Sequence, residues 1–399
     1  MASVLGMKTL TQSPVAPDFV QNPYPFYHHA RASGDLIYWD DYQIVAAVSH
    51  KAVQTLLKDR RFGREAPAEM QKPGPRHLAP WSAIEAHSLL ELEPPRHTRL
   101  RALVMRAFTS RAITALEPAI RDLTHALIDD FPDSPFDLLD RFCTQVPVIT
   151  ICRLLGVPEE MSPDLLRWSH SMVAMYQASR TAQTEQDAAA ASQEFTDFLN
   201  SYIDRRRTDS RDDLITRLIA AEEDGEKLTR DELVATCVLL LNAGHEATVH
   251  SLGNGVKTAL ELGLDRSVFQ PGVIDGTVEE ILRYDPPLHM FTRYAYEDVT
   301  LFDHHFRRGD EVALLLGAAN RDPAVWTNPD QFDPTRPVVT NTSFGGGLHF
   351  CVGAPLARLE MRVALSILFN RCPSLRLSEA PAYDNTYHFH GLQRLIVET

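Results

Sequence analysis

"SFGGGLHFCVGAPLARLE", Ser343 to Glu360, sets three consecutive glycines, a histidine and a cysteine ahead of a stretch with helical periodicity. Three readings compete for Cys351. A buried structural cysteine needs no glycines, yet Gly345, Gly346, Gly347 and Gly353 surround this one, which points to unusual backbone angles or to close approach of a flat ligand. A nucleophile paired with His349 needs the two side chains to meet. Residues two apart in an extended segment share a face, so spacing alone leaves that reading open. A thiolate ligand suits a metal whose other ligands come from elsewhere; in a haem the porphyrin nitrogens fill four positions and the protein supplies one. Gly353, Ala354 and Pro355 would then open a helix, with proline tolerated in its first turn. The positive end of that helix and the nearby backbone N–H groups would stabilise the thiolate. This third reading accounts for the glycines, the lone cysteine and the helix together.

The rest of the chain bounds the class. Its 399 residues suffice for a large core, and 44% hydrophobic with 23% charged residues is an ordinary globular composition. Acids outnumber bases 53 to 39, a formal net charge of −14, which argues against a general nucleic-acid binder because phosphate contacts need clustered cations. The apolar start, Met1 to Met7, is short and gives way to polar, Pro-rich sequence, so it does not read as a signal peptide. No stretch reaches the roughly 18 apolar residues of a membrane span. The five cysteines (Cys143, Cys152, Cys237, Cys351, Cys372) are odd in number and widely spaced, against a disulfide framework or structural zinc. A soluble, cytoplasmic protein is predicted, with no membrane or nucleic-acid partner.

After a Pro-rich lead, "LIYWDDYQIVAAV" alternates apolar and polar residues as a short β-hairpin does. From Ser49 to Leu262 the periodicity is helical, as in "HTRLRALVMRAF", "AITALEPAIRDLTHALIDDF" and "TQVPVITICRLLG". Strands return in "RYAYEDVTLF", "DEVALLLGA" and "LQRLIVE". One mainly α domain with small β-sheets, spanning 1–399, is the economical reading. Its longest helix starts at a capping box of Thr229 and Glu232 and runs to about Leu262, a rod of about 50 Å that crosses the domain. The middle of that rod, "LLLNAGHEATVHSL", interrupts an apolar run with Asn242, Gly244, His245, Glu246 and Thr248. Polar groups there cost free energy unless something uses them.

"FGGGLHFCVG" resembles the haem-binding loop of the cytochrome P450 family, F-G-x-G-x-H-x-C-x-G, with Phe344, Gly345, Gly347, His349, Cys351 and Gly353 on matching positions. The resemblance extends over nearly the whole chain, from "NPYPFYHHAR" to "HFHGLQRLIVE", and fits the soluble bacterial type. It implies the P450 fold, with the long central helix over a haem b (iron protoporphyrin IX) ligated by Cys351. "VEEILRYDPP" resembles the family's E-x-x-R motif; alone, Glu280 and Arg283 would be a surface pair worth about 0.2 to 0.5 kcal/mol. The family adds a downstream arginine, here Arg336 in "QFDPTRP", so that a Glu clamped by two guanidiniums fixes the segment leading to the Cys loop. For the haem propionates the resemblance implies His97 and Arg101, four apart in "PPRHTRLR", with Arg293 and His349.

The same resemblance places substrate against Val238, Leu239, Asn242 and Ala243 of the long helix, against Leu288, His289, Met290 and Phe291, and against Phe389. Ala66 to Glu91 and "SHSMVAMYQASR" are the expected lid. An apolar small organic molecule with one or two polar handles is the expected substrate. Gly244, Glu246 and Thr248 would shape the oxygen pocket. Here the sequence departs from the family, which follows the acid at once with an alcohol: Glu246 is followed by Ala247, and Thr248 stands about 100° further round the helix. A monooxygenase is expected that inserts one oxygen atom of O2 into a C–H bond or alkene, with electrons from a separate ferredoxin or flavodoxin and its NAD(P)H-dependent reductase. A peroxide-driven oxygenase is the runner-up, made plausible by the missing alcohol, and a non-catalytic haem gas sensor stands behind it. Arg96, Arg99, Arg101, Arg106, Arg111, Arg358 and Arg362 suggest a basic dock for an acidic redox protein on the thiolate side.

Overall fold

The alternation across Leu36 to Ala47 becomes the predicted hairpin, closed by Gln43 in the left-handed region with φ of 53°. The computed structural model describes residues 7–71, 74–177, 180–223, 226–387 and 389–399. The hairpin belongs to a mixed six-stranded sheet of β1 (Thr9–Leu10), β2 (Leu36–Trp39), β3 (Ile44–Ala47), β4 (Phe62–Gly63), β5 (Met290–Ala295) and β6 (Glu311–Leu315). Across the sheet the strands run β1-β2-β3-β6-β5-β4. Side chains alternate between faces, so Ile37, Trp39, Ala313 and Leu315 join Phe19 and Tyr27 on one side. Leu36, Val312 and Leu314 join Leu56 and Phe62 on the other.

The principal helices are α1 (His50–Lys58), α2 (Ala79–Glu85), α3 (Arg96–Ala107), α4 (Gln145–Leu155), α5 (Ser162–Val173), α6 (Ala182–Thr208), α7 (Arg230–Glu261), α8 (Ile274–Tyr284) and α9 (Ala354–Arg371). At the head of α7 the Glu232 N–H donates to Thr229 Oγ1 at 3.2 Å and the Thr229 N–H to Glu232 Oε2 at 2.9 Å, the reciprocal cap read from the sequence. The helix runs unbroken for 32 residues through the largest apolar core and packs on α4, α5, α6, α8 and α9. Gly244 lets α4 approach: a Cβ there would stand 2.8 Å from Ile151.

Two stretches fold differently from their periodicity. "AITALEPAIRDLTHALIDDF" divides into Ser110–Thr114 and Glu117–Asp129, because Pro118 carries no N–H to continue a helix and instead occupies a new first turn. "LQRLIVE" forms two strands in different sheets, and its second part, Ile396–Glu398, pairs with Phe136–Asp137 inside the otherwise helical region. Among the described residues no helix is long and apolar enough to cross a membrane.

Candidate active site

The Cys351 loop is shaped by backbone angles that disfavour side chains. Gly345 and Gly347 take φ of +69° and +63°, and a Cβ on Gly347 would stand 2.5 Å from the carbonyl oxygen of Leu57. The Cys351 N–H donates to the Phe344 carbonyl at 3.0 Å, closing the loop ahead of α9, whose first turn holds Pro355. Gly353 has an ordinary φ of −79°, and a Cβ there would stand in ordinary contact with Cys351 Sγ at 3.7 Å, so neither backbone angle nor crowding requires glycine at this position. Burial pushes the Cys351 thiol up, and against it act the N–H groups of Gly353 and Ala354 and the charges of Arg101 and Arg358. Arg358 also lies 4.5 Å from the Phe344 ring centroid. Burial likewise pushes up Cys143, Cys152, Cys237 and Cys372, and at Cys372 the charges of Arg371 and Arg266 act against it.

Cationic and imidazole groups gather beside the loop. Arg101 Nη2 donates to the Phe350 carbonyl at 2.8 Å. Arg293 is buried on β5, donates to the Thr292 carbonyl at 2.7 Å and forms no ion pair among the described residues. Burial, followed by the charge of Arg64, brings its guanidinium down to about 10. His97 is buried with no partner on Nδ1, and its ring lies 4.4 Å from that of His349. His349 Nε2 is taken by Glu93 Oε1 at 2.8 Å, a partner that sequence spacing gave no means of finding. Among the described residues no hydrogen bond joins His349 to Cys351, so the nucleophile reading gains no support.

The loop is tied to α8 by a buried polar network. Glu280 accepts from Arg283 at 2.6 and 2.7 Å and from Arg336 Nε at 3.0 Å, so the three residues predicted to form a clamp do meet. Ser343, at the mouth of the loop, donates to the Leu282 carbonyl at 2.6 Å and accepts from Asn320 Nδ2 at 2.9 Å.

α7 presents a stripe of accessible residues, Leu239, Leu240, Ala243 and Ala247, at the three- and four-residue spacing of one helix face, while half-buried Gly244 faces Ile151 of α4. Leu240 was missed although that same spacing marks it. Val238, expected to line the substrate space, is buried in the helical core one residue out of phase. Asn242 is half-buried, its Nδ2 3.7 Å from Met172 sulfur. Leu288, Met290 and Phe291 are half-buried, and Leu288 bridges to Phe389. His289 is a second correction: consecutive extended residues point oppositely, and its ring turns into a closed cluster, bonded to Tyr27 Oη at 2.8 Å. Thr248 is buried, and Glu246 is buried beneath α5, accepting from Ser169 Oγ at 3.0 Å. Burial pushes the Glu246 carboxyl up, but the closeness and charge of His245, whose Nε2 lies 3.5 Å away, and the charges of His170 and His250 outweigh it and hold the group at about 2.

The two segments expected to form a lid take part in one contact, although Lys72, Pro73, Ala178 and Ser179 lie outside the described residues. Tyr176 Oη donates to Glu85 Oε2 at 3.1 Å beside the Arg64–Glu91 pair, at the edge of a cavity of about 500 Å3. Burial, then the charge of Glu91, pushes the Glu85 carboxyl up to about 7. A folded-state value above the unfolded one means that stability falls as pH rises from about 4.5 towards 7 and is level beyond. Glu85→Gln should flatten that slope, read as a smaller difference in Tm between pH 5 and pH 8. Of the seven arginines of the predicted basic dock, Arg99 pairs with Glu232, Arg358 with Glu279, Arg362 with Glu117 and, more loosely, Arg96 with Glu65 at 4.0 Å.

The family model of cytochrome P450 matches residues 36–256 and 272–384. The chain is 36% identical to vitamin D(3) 25-hydroxylase of Pseudonocardia autotrophica, covering 95% of this chain and 94% of that one. It is 34% identical to the biotin biosynthesis cytochrome P450 of Bacillus subtilis, over 98% and 99% of the two chains. Its fold is similar to that of P450BioI, solved in complex with hexadec-9Z-enoic acid ligated acyl carrier protein, with a TM-score of 0.89 and 32% identity over 96% and 99% of the chains. The chain belongs to the cytochrome P450 family, the haem-thiolate monooxygenases, and is an oxidoreductase of the bacterial type.

Proposed function

We propose that Cys351 is the thiolate ligand of a haem b and that the enzyme places one oxygen atom of O2 on a small apolar molecule, with electrons from a separate ferredoxin or flavodoxin and its NAD(P)H-dependent reductase. One observation carries the reading: a buried guanidinium, Arg293, forms no ion pair among the described residues, with Glu93 and Glu91 acting on it only from beyond contact, near a cysteine loop that directs N–H groups at sulfur. An unpaired buried charge is expensive, and a haem propionate relieves it. Arg101 and the free Nδ1 of His97 offer further donors to the propionates, while His349 reaches one only by releasing Glu93. Bound there, the group supplies dioxygen activation, assisted by electron density from the thiolate. Leu239, Leu240, Ala243, Leu288, Met290, Phe291 and Phe389 exclude water and hold an apolar substrate.

Proton supply falls to the middle of α7. Glu246 is ionised at neutral pH, so it accepts a proton before it can pass one on. Because α7 is unbroken at Gly244, Thr248 stays rotated about 100° from Ala247, and an ordered water or a polar group of the substrate takes the role of the missing alcohol. Ala247→Thr should therefore raise product formed per reductant consumed several-fold for purely apolar surrogates, and Thr248→Ala should change it little. Loss of coupling for every substrate in Thr248→Ala, with no gain in Ala247→Thr, would show that Thr248 is the proton-delivery alcohol. Ala247 also favours a second reading, peroxide-driven oxygenation. Turnover with hydrogen peroxide and no reductant, at the rate seen with reductant and O2, would select it. A substrate-induced shift of the Soret band across a compound library tests the pocket itself.

A further inference from the structure

Where α5 crosses α7, three side chains with metal-ligating atoms converge away from the cysteine loop. Glu246 Oε1 lies 3.6 Å from His170 Nε2 and 3.5 Å from His245 Nε2, and the three ligand atoms are all within 4.8 Å of one another. His245 Nδ1 is 2.6 Å from the Leu241 carbonyl oxygen. A carbonyl only accepts, so the hydrogen-bond network assigns the proton to Nδ1 and leaves the neutral ring a lone pair on Nε2. That Nε2 is buried, has no hydrogen-bond partner and stands beside a carboxylate oxygen, which is also an acceptor.

Two acceptors in that position repel unless a cation lies between them. A proton serves either by charging His245 or by sitting on Glu246, whereas a metal ion serves with the imidazole neutral and the carboxyl ionised. The separations suit the latter: ligands about 2.0 to 2.1 Å from a tetrahedral Zn2+ lie about 3.3 to 3.4 Å apart. An Nδ1–H donated to a backbone carbonyl is also how ligating imidazoles are commonly oriented. His170 is exposed and provides the route of access, and Ser169 Oγ or solvent can complete the coordination. His250, on the same helix, is the other imidazole whose charge acts on Glu246.

We propose that His170, His245 and Glu246 form a binding site for a divalent transition cation, with Zn2+ as the probe, that fastens the lid helix α5 to the central helix α7. The site is independent of substrate identity and of the route of electrons. It draws Glu246 into coordination and restrains α5, so occupancy should also slow turnover.

The test is equilibrium dialysis of the chelator-stripped, haem-loaded enzyme against Zn2+, with Tm followed in parallel. The parent should bind one ion that raises its Tm, and His170→Ala, at an exposed position that does not endanger folding, should weaken that binding at least about tenfold. Glu246→Gln should weaken it as well, whereas Ser169→Ala should retain it. Equal Zn2+ binding by the parent and His170→Ala, or no binding by the parent at micromolar Zn2+, overturns the site. So does binding lost in His170→Ala but kept in a folded Glu246→Gln.

Discussion

Cys351→Ser should remove the thiolate signature: the reduced, carbon monoxide-treated protein should lack the red-shifted Soret band that the parent shows. A serine hydroxyl does not ionise under these conditions, so neither N–H donors nor arginine charge can convert it into an equivalent ligand. The loop itself does not depend on sulfur. Its shape comes from Gly345 and Gly347 with positive φ and from the Cys351 N–H to Phe344 carbonyl bond, all of which a serine preserves. The variant should therefore fold with nearly the parent's Tm when both lack haem, which separates loss of a ligand from loss of structure. Alanine at Cys143, Cys152, Cys237 or Cys372 should leave the signature intact. A normal band in Cys351→Ser, or its disappearance in one of those four, refutes the assignment of Cys351 as ligand.

Features written in short spacings were legible in the sequence. The cap of α7 needs only Thr229 and Glu232, and the Cys loop only its glycines and a following helix, so local geometry dictates both. Contacts between distant segments were not. Nothing near His349 announces Glu93, which is 256 positions away, and nothing near Glu246 announces Ser169, which is 77 away. Facing direction fell between these cases. Val238 lies within a correctly placed helix and His289 just ahead of strand β5, but a one-residue error turns a side chain about 100° on a helix and to the opposite side of an extended segment. Pairing between the proximal arginines and Glu232, Glu279 and Glu117 was likewise invisible to a count of charges along the chain.

Glu280→Ala should lower stability by about 3 to 5 kcal/mol, because it leaves the buried Arg283 guanidinium uncompensated. Ordinary domains are stable by about 5 to 15 kcal/mol, so the loss is a large share of the whole. Arg336 and the Asp333 N–H, which both donate to Glu280 Oε1, lose an acceptor at the same time. A buried ion pair can often be exchanged for apolar side chains at little cost. Here that exchange should fail. Arg283 also donates to the carbonyls of Asn320 at 3.0 Å, Pro329 at 2.8 Å and Gln331 at 3.2 Å; Arg336 still serves Gln331, but the Asn320 and Pro329 oxygens left unsatisfied cost about 1 to 3 kcal/mol each. The double variant Glu280→Met with Arg283→Met should consequently be no more stable than Glu280→Ala alone in urea unfolding. Both should retain haem less tightly, because the Leu282 carbonyl, one residue before Arg283, receives the Ser343 hydroxyl at the mouth of the cysteine loop. A double variant as stable as the parent would mean that the network acts by charge alone and that its carbonyl contacts contribute nothing.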